Sequence, residues 1–377
     1  MKKILFVNDE LKTGGVTSVL FNLLNALDKE KYEISLLALD QEVLPEELPQ
    51  GVRLLKTSKF FEVCDLPFSE CRRRGLSYVL RKLHFFYLLK TGKMNGRIRK
   101  ERKKMELDHY DVEIAYKEGI STLFVVNGDA EKKLNFVHSD YKVRNYSERY
   151  QKTMTEAFHK VHKNIAVSRV AKESFEEIYD LDNVITIHNL LNTERINRLK
   201  EEEYSFEGER PHLLAVGRLH PQKSYDRLLN VCKRLNEDGY VYSLYILGDG
   251  EEKEKLYKQK EELHLENVHF EGNQKNPFRY MKNADLLVLS SLYEGLPTVV
   301  SEALLCGLPV VSMKVAGIDE LLTDDYGVIT ENDEESFYRA LKDLLDHPEK
   351  IKELKRNTSS YICENEANLK KIEELFL

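Results

Sequence analysis

Short apolar runs alternate with amphipathic stretches along the whole chain. Ile4–Val7 is a buried-strand pattern, followed by Gly14-Gly15 and a helical stripe through Val19, Leu20, Leu23 and Leu24. Ile34–Leu39, Val112–Ala115, Leu134–Val137, Ile165–Val167 and Val184–Ile187 repeat the strand pattern, with helical segments between most of them. A second series begins near residue 210. Its strand runs are Leu213–Val216, Leu244–Leu247, Val268–Phe270, Leu286–Leu289 and Pro309–Ser312. Helical spacing fills Ser224–Leu235, Glu252–Leu263, Val299–Leu305 and Ser336–Leu345. Strands alternating with helices predict βαβ units and parallel sheets, hence an α/β protein.

The length of 377 residues fits two domains at roughly 100–200 residues each. The polar, Glu-rich stretch between the two series is expected to be a linker over 193–209. That leaves a first domain over 1–192, a second over 210–360, and a terminal segment, 361–377, whose apolar spacing fits a helix packing on the first domain. Each half reads as a doubly wound domain, and two of them leave an interdomain cleft at the carboxyl ends of their strands. Composition adds exclusions. Hydrophobic residues at 42% and charged residues at 32% are ordinary for a folded soluble chain. Five cysteines without a C-x-x-C pair argue against a zinc site or disulfide scaffold and fit a reducing, cytoplasmic setting. The run Ile4–Val7 is too short for a secretory leader, and no stretch of about 20 apolar residues predicts a spanning helix. A net charge of −7 makes nucleic acid an unexpected partner.

Three strand ends in the second half carry candidate chemistry. After Leu213–Val216 comes Gly217-Arg218-Leu219-His220-Pro221-Gln222-Lys223, where a guanidinium fork and an ammonium across one turn suit a diphosphate. After Leu244–Leu247 comes Gly248-Asp249-Gly250, a turn that lets a nucleotide lie close to backbone. After Leu286–Leu289 comes a loop with Glu294, Gly295, Leu296 and Pro297, leading into a helix that carries Glu302. The glycine permits close approach, and N–H groups at a helix start hold anions or hydroxyls. Taken singly, each is also what a solvated turn or an ordinary helix start looks like. Their joint order is what gives them weight.

These residues together resemble the family-4 glycosyltransferases: Gly217-Arg218 with Lys223, Gly248-Asp249-Gly250, Ser290-Ser291, the Glu294/Glu302 pair in a Glu-x7-Glu arrangement, and Gly307-Leu308-Pro309-Val310-Val311. The resemblance is strong over about 211–330 and weaker over 1–190. It implies the GT-B fold of two Rossmann-like domains. It also implies retaining transfer of a hexose or N-acetylhexosamine from a nucleoside-diphosphate sugar, with UDP favoured by the family's usage. On this resemblance Arg218 and Lys223 hold the donor diphosphate. Glu302 accepts from the ribose hydroxyls, and Glu294 with the N–H groups of Gly295 and Leu296 meets the donor sugar. Gly248 flanks the nucleotide, and the backbone near Asn273–Asn276 meets the base. Gly14 and Gly15 open a helix beside the donor phosphates, and His138, in Phe136-Val137-His138-Ser139-Asp140, resembles the histidine that contacts the transferred sugar. No metal and no cofactor is expected, because the two cations take a metal's place. Asp180-Leu181-Asp182 resembles a metal-nucleotide pair, but it enters a strand rather than leaving one and is expected to be a turn. Two alternatives stay open: a nucleotide-sugar epimerase or sugar phosphorylase on the same fold, and a non-catalytic, glycan-binding partner of another transferase.

Residues 71–104 stand apart. They hold thirteen Lys/Arg against one acid, Glu101, a net of +12 that leaves −19 for the remainder. Leu76, Val79, Leu80, Leu83, Phe86 and Tyr87 fall near helical spacing within it. Two readings compete. The apolar stripe packs on the first sheet, or it lies on an anionic membrane surface or guards an anionic acceptor, with Arg72, Arg73, Arg74, Arg81 and Lys82 as the contacting cations. A lipid-linked or polymeric cell-surface glycan acceptor, and a peripheral place at the inner face of the membrane, follow from the second.

Overall fold

The computed structural model describes every residue except 13, 42–47, 65 and 142–147, together with the backbone but not the side chains of 148 and 149. The chain forms two compact units, Met1–Leu190 with Asn365–Leu377, and Leu191–Glu364.

The first unit is built on strands β1 (Lys2–Asn8), β2 (Tyr32–Ala38), β3 (Val52–Leu54), β4 (Val112–Ala115), β5 (Lys132–Val137), β6 (Lys163–Ala166) and β7 (Val184–Thr186). They form one parallel sheet in the order β3-β2-β1-β4-β5-β6-β7. The central strands are continuous apolar runs because helices cover both faces. The second unit holds β8 (His212–Val216), β9 (Ser243–Leu247), β10 (Val268–Gly272), β11 (Leu286–Leu289), β12 (Val310–Met313) and β13 (Gly327–Thr330). They are also parallel, in the order β10-β9-β8-β11-β12-β13. In each sheet the order reverses at one point, between β1 and β4 and between β8 and β11. Loops leaving the carboxyl ends of those strands diverge and open a crevice for ligand.

Several expectations are corrected. β3 and β13 were not foreseen. Both are short edge strands with half-buried positions, so neither has a continuous apolar run. The expected linker 193–209 is not a free connection. Asn192 caps a helix over Thr193–Leu199 by accepting from Arg195 N at 2.9 Å, and Ile196 is buried. Further on, Tyr204 and Phe206 pack on Tyr280 and Tyr245 of the second unit. The boundary therefore falls at 190/191. The segment 361–377 is also divided, with 361–364 in the second unit and the helix Asn365–Glu374 in the first. There Ile372 and Phe376 join the core, Phe376 meets Tyr32 edge-on at 5.5 Å, and Lys2 Nζ donates to the Phe376 carbonyl at 2.6 Å.

The basic segment forms three helices, Phe68–Arg74, Leu76–Thr91 and Met94–Lys104. Its anchor is ionic. Arg102 grips the fully buried Glu113 of β4 with two bonds of 2.6 and 3.0 Å. Lys82 is not a surface cation. It is only 6% exposed, and its ammonium donates to the Val63 and Cys64 carbonyls at 3.0 and 2.9 Å. Position 82 lies on the core side of its helix with Phe85, and the carbonyls there offer a charged donor the partners its burial demands. Arg81 is likewise tied down, to the Lys59 carbonyl and the Glu62 carboxylate, and Arg74 to Glu70. Arg72 and Arg73 are exposed.

Candidate functional site

The second unit gathers its charged residues at the β8/β11 reversal. The loop after β8 and the loop after β11 are zipped together. Leu292 N donates to the Gln222 carbonyl at 2.8 Å, Ser290 Oγ to the Lys223 carbonyl at 2.8 Å, and Gln222 Nε2 to the Tyr293 carbonyl at 2.8 Å. Lys223 Nζ lies 2.6 Å from Glu294 Oε1, both side chains mostly shielded from water. Gln222 Nε2 reaches the other carboxylate oxygen at 3.3 Å. Arg218, in the same loop, is exposed, and its side chain makes no hydrogen bond or ion pair among the described residues. A shielded pair beside an uncommitted guanidinium leaves one full cationic fork for an incoming anion.

Glu302 lies one turn into the helix Thr298–Leu305, whose start has no side-chain cap. Burial pushes its carboxyl up to about 7, against the pull of the Arg195 and Lys223 charges. A carboxyl held this way has acceptor oxygens with little water to satisfy them, which suits hydroxyl donors.

The loops after β8 and β9 touch through backbone. Gly248 takes φ 148°, and a Cβ there would stand 1.9 Å from the Gly217 carbonyl oxygen. Gly217 N bonds the Leu247 carbonyl and Leu219 N the Asp249 carbonyl. No side chain fits at Gly248, so this glycine is explained by packing as well as by any ligand.

The first unit collects a second group at the β1/β4 reversal and at the end of β5. His138 follows β5, and its backbone N–H donates to Glu118 Oε2 at 3.1 Å. Its ring bonds the Tyr116 backbone and lies 5.0 Å from the Tyr116 ring, while Nε2 is buried without a partner. Burial pushes the imidazole down, so it stays neutral with an acceptor nitrogen to offer. Asp9, at the end of β1, is buried, accepts from Ser121 N at 3.1 Å and faces Lys117 Nζ at 3.6 Å. Gly14 caps the helix Gly15–Ala26, and a Cβ on Gly14 or Gly15 would meet nothing within 4 Å. Among the described residues, no neighbouring atom forces glycine at either position.

The structure thus brings Arg218, Lys223, Glu294, Gly248 and Glu302 into one corner of the second unit, and His138 with Glu118 into a corner of the first. Asp180 ends the helix Arg169–Tyr179 as its left-handed cap, a turn residue. Residues the sequence reading passed over include Asp9, Gln222, Arg195 and Asn332. Asn332 Nδ2 donates to the Ser291, Leu292 and Lys314 carbonyls at 3.2, 3.2 and 2.8 Å, and Arg227 grips it from behind. It fastens the loop that delivers Glu294. Only Arg195 carried a signal, as an Asn-capped helix start; a lone Asp or Asn at a strand end has none.

Comparison with known proteins agrees with this layout. The amylovoran biosynthesis glycosyltransferase AmsD of Erwinia amylovora is 29% identical over 55% of this chain, and the match spans only 58% of AmsD. A Campylobacter jejuni protein is 25% identical over 92% of this chain and 91% of its own length. Its name is N-acetylgalactosamine-N,N'-diacetylbacillosaminyl-diphospho-undecaprenol 4-alpha-N-acetylgalactosaminyltransferase. The solved structure of an S. aureus TarM variant, in complex with fondaparinux, alpha-GlcNAc-glycerol and UDP, superposes with a TM-score of 0.74 over 100% of both chains at 16% identity. That likeness shows the GT-B fold. Residues 197–361, which contain the Arg218/Lys223 loop, Glu294 and Glu302, match the family described as Glycosyl transferases group 1.

Proposed function

We propose that this protein moves a hexose or N-acetylhexosamine from a UDP-sugar to a lipid-linked or polymeric cell-surface glycan, with retention of configuration and without a metal ion. The observation that carries the proposal is the second unit's corner, where Lys223 is locked to Glu294 at 2.6 Å and the Arg218 fork stays open beside it. A leaving diphosphate gains negative charge as the sugar–oxygen bond breaks. Arg218 and Lys223 are preorganised to stabilise it, the work a divalent ion does elsewhere. Glu302 then takes the ribose hydroxyls, and Glu294 orients the sugar.

Transfer on one face needs no covalent enzyme intermediate. The sugar passes through an oxocarbenium-like state, the acceptor oxygen bonds to the anomeric carbon, and the departing diphosphate oxygen takes the acceptor's proton. In the first unit, neutral His138 keeps Nε2 as an acceptor for a hydroxyl donor. The UDP seen with TarM and the diphospho-undecaprenol in the name of the C. jejuni relative support the donor and acceptor classes. Such an acceptor puts the enzyme at the inner face of a membrane, although no described helix is long and apolar enough to cross one.

Incubation with a panel of nucleoside-diphosphate sugars, read as free nucleoside diphosphate, tests the reading. Release is expected with a UDP-sugar, unchanged by EDTA, and reduced ~10²–10³-fold in Arg218→Ala. A chelator-sensitive reaction, or equal rates in the variant, refutes the assignment. Epimerised UDP-sugar as product points instead to an epimerase.

A further inference from the structure

The helix Leu76–Thr91 buries one side and leaves the other unpartnered. Phe85 and Leu88 face the core. On the opposite side Leu76, Leu80, Leu83 and Tyr87 are 74%, 57%, 51% and 52% exposed. Their spacing of four, three and four places them in one line, about 16 Å long at 1.5 Å per residue. Phe86 flanks the line, stacked on Phe68 at 6.0 Å and itself largely exposed. Exposed Arg72 precedes its amino end, beside Arg73, which is paired with Glu70 at 2.6 Å while its side chain stays 78% exposed, and exposed Lys90 and Lys93 follow its carboxyl end. Lys93 lies over the Tyr87 ring at 5.8 Å.

We propose that this stripe is a membrane-docking face, seated flat in the headgroup region of an anionic bilayer. It deepens the reading of a peripheral place by naming the helix and the lipid chemistry, and it rests on that reading. Charge identifies the occupant. The segment 71–104 carries +12 in a chain that is otherwise −19, so an anionic surface is attracted to this face and repelled by the rest. Each cation close to such a surface raises partitioning about fivefold. Apolar side chains in a row with cations at both ends match the cross-section of an interface, apolar below and phosphate beside. A second copy of this chain is disfavoured, since a two-fold contact would press two +12 segments together. A nucleic acid would find no hydrogen-bonding groups along the leucines. Lys82, Arg81 and Arg74, already engaged within the fold, are not part of the face.

The chain has no tryptophan, which makes the test direct. Tyr87→Trp supplies a single reporter on the face, and Tyr257→Trp one on the second unit. With vesicles of phosphatidylglycerol and phosphatidylcholine, the residue-87 reporter is expected to shift blue and to be quenched by brominated acyl chains. The residue-257 reporter is expected to do neither. Sedimentation of the full chain with these vesicles should fall at least tenfold when phosphatidylglycerol is omitted. It should fall at least tenfold in Leu80→Ser/Leu83→Ser, whose exposed positions leave the circular dichroism unchanged. Equal binding to neutral vesicles overturns the proposal, as does binding unaffected by the double variant. So does a concentration-dependent dimer abolished by that variant, or tighter capture by duplex DNA than by lipid. No nucleotide sugar enters these assays, so their failure and the failure of the transfer reaction are read separately.

Discussion

Glu302→Gln should make the protein more stable and less active, and the size of the gain follows from the buried carboxyl. The folded chain keeps the Glu302 proton up to about pH 7, whereas the unfolded chain releases it near 4.5. Between those values the native state holds more protons than the unfolded state, so stability falls as pH rises through the window and stays lower above it. At 1.36 kcal/mol per pH unit the penalty at pH 8 is about 3 kcal/mol. Glutamine has nearly the same shape and never ionises. The variant should therefore melt about 6–12 °C higher than the wild type at pH 8, at roughly 2–4 °C per kcal/mol, and only about 2–3 °C higher at pH 5, where the folded carboxyl is neutral and about a quarter of the penalty remains. Scanning calorimetry at the two pH values measures this. Titration with UDP supplies the other half. Wild-type affinity should drop about tenfold from pH 8 to pH 6, as the carboxylate that accepts the ribose hydroxyls becomes protonated, and the glutamine variant should bind weakly at both. No gain in melting temperature at pH 8, or the same gain at pH 5, refutes the idea that a desolvated charge is held there for the ligand.

Other substitutions test the frame around the site. Gly248→Ala puts a methyl 1.9 Å from the Gly217 oxygen. It should cost several kcal/mol in chemical denaturation and weaken UDP binding, because the β8 and β9 loops must part. Arg102→Ala strands the Glu113 carboxylate in the first sheet, a loss of about 3–5 kcal/mol, whereas Arg102→Ala/Glu113→Leu should recover much of it; equal losses would remove the ion pair as the anchor of the basic helices. Lys223→Ala frees Glu294 of its 2.6 Å partner. Turnover should fall at least ~10²-fold, and the melting temperature should fall too, because a shielded carboxylate loses its charged partner.

The second unit was legible from sequence because its chemistry sits where patterns meet. A continuous apolar strand ends, a glycine follows, and charged residues precede the next helix, as at Val216-Gly217-Arg218. Glu302 and Lys223 could be named from that punctuation, but their environment could not, since desolvation belongs to the packed state. The first unit was harder. His138 could be singled out at a strand end, whereas Asp9 is a single acid whose partner, Ser121, lies on a helix far along the chain. The same limit produced the error at Lys82. A lysine in a basic helix reads as surface, and only the carbonyls of Val63 and Cys64 show that it points inward. Residues 193–199 were misread for a different reason. Polar composition outweighed the Asn192 cap, a helix signal that was present in the sequence.

The helix Asn365–Glu374 has a consequence for how the protein is made. Its residues complete a core whose other members all precede residue 191. A ribosome releasing the chain amino end first must finish the entire second unit before Ile372 and Phe376 are supplied. Until then the nascent first unit exposes the groove beside Tyr32 to chaperones or to neighbouring chains. Cutting the gene after codon 364 would leave that groove open for the life of the protein.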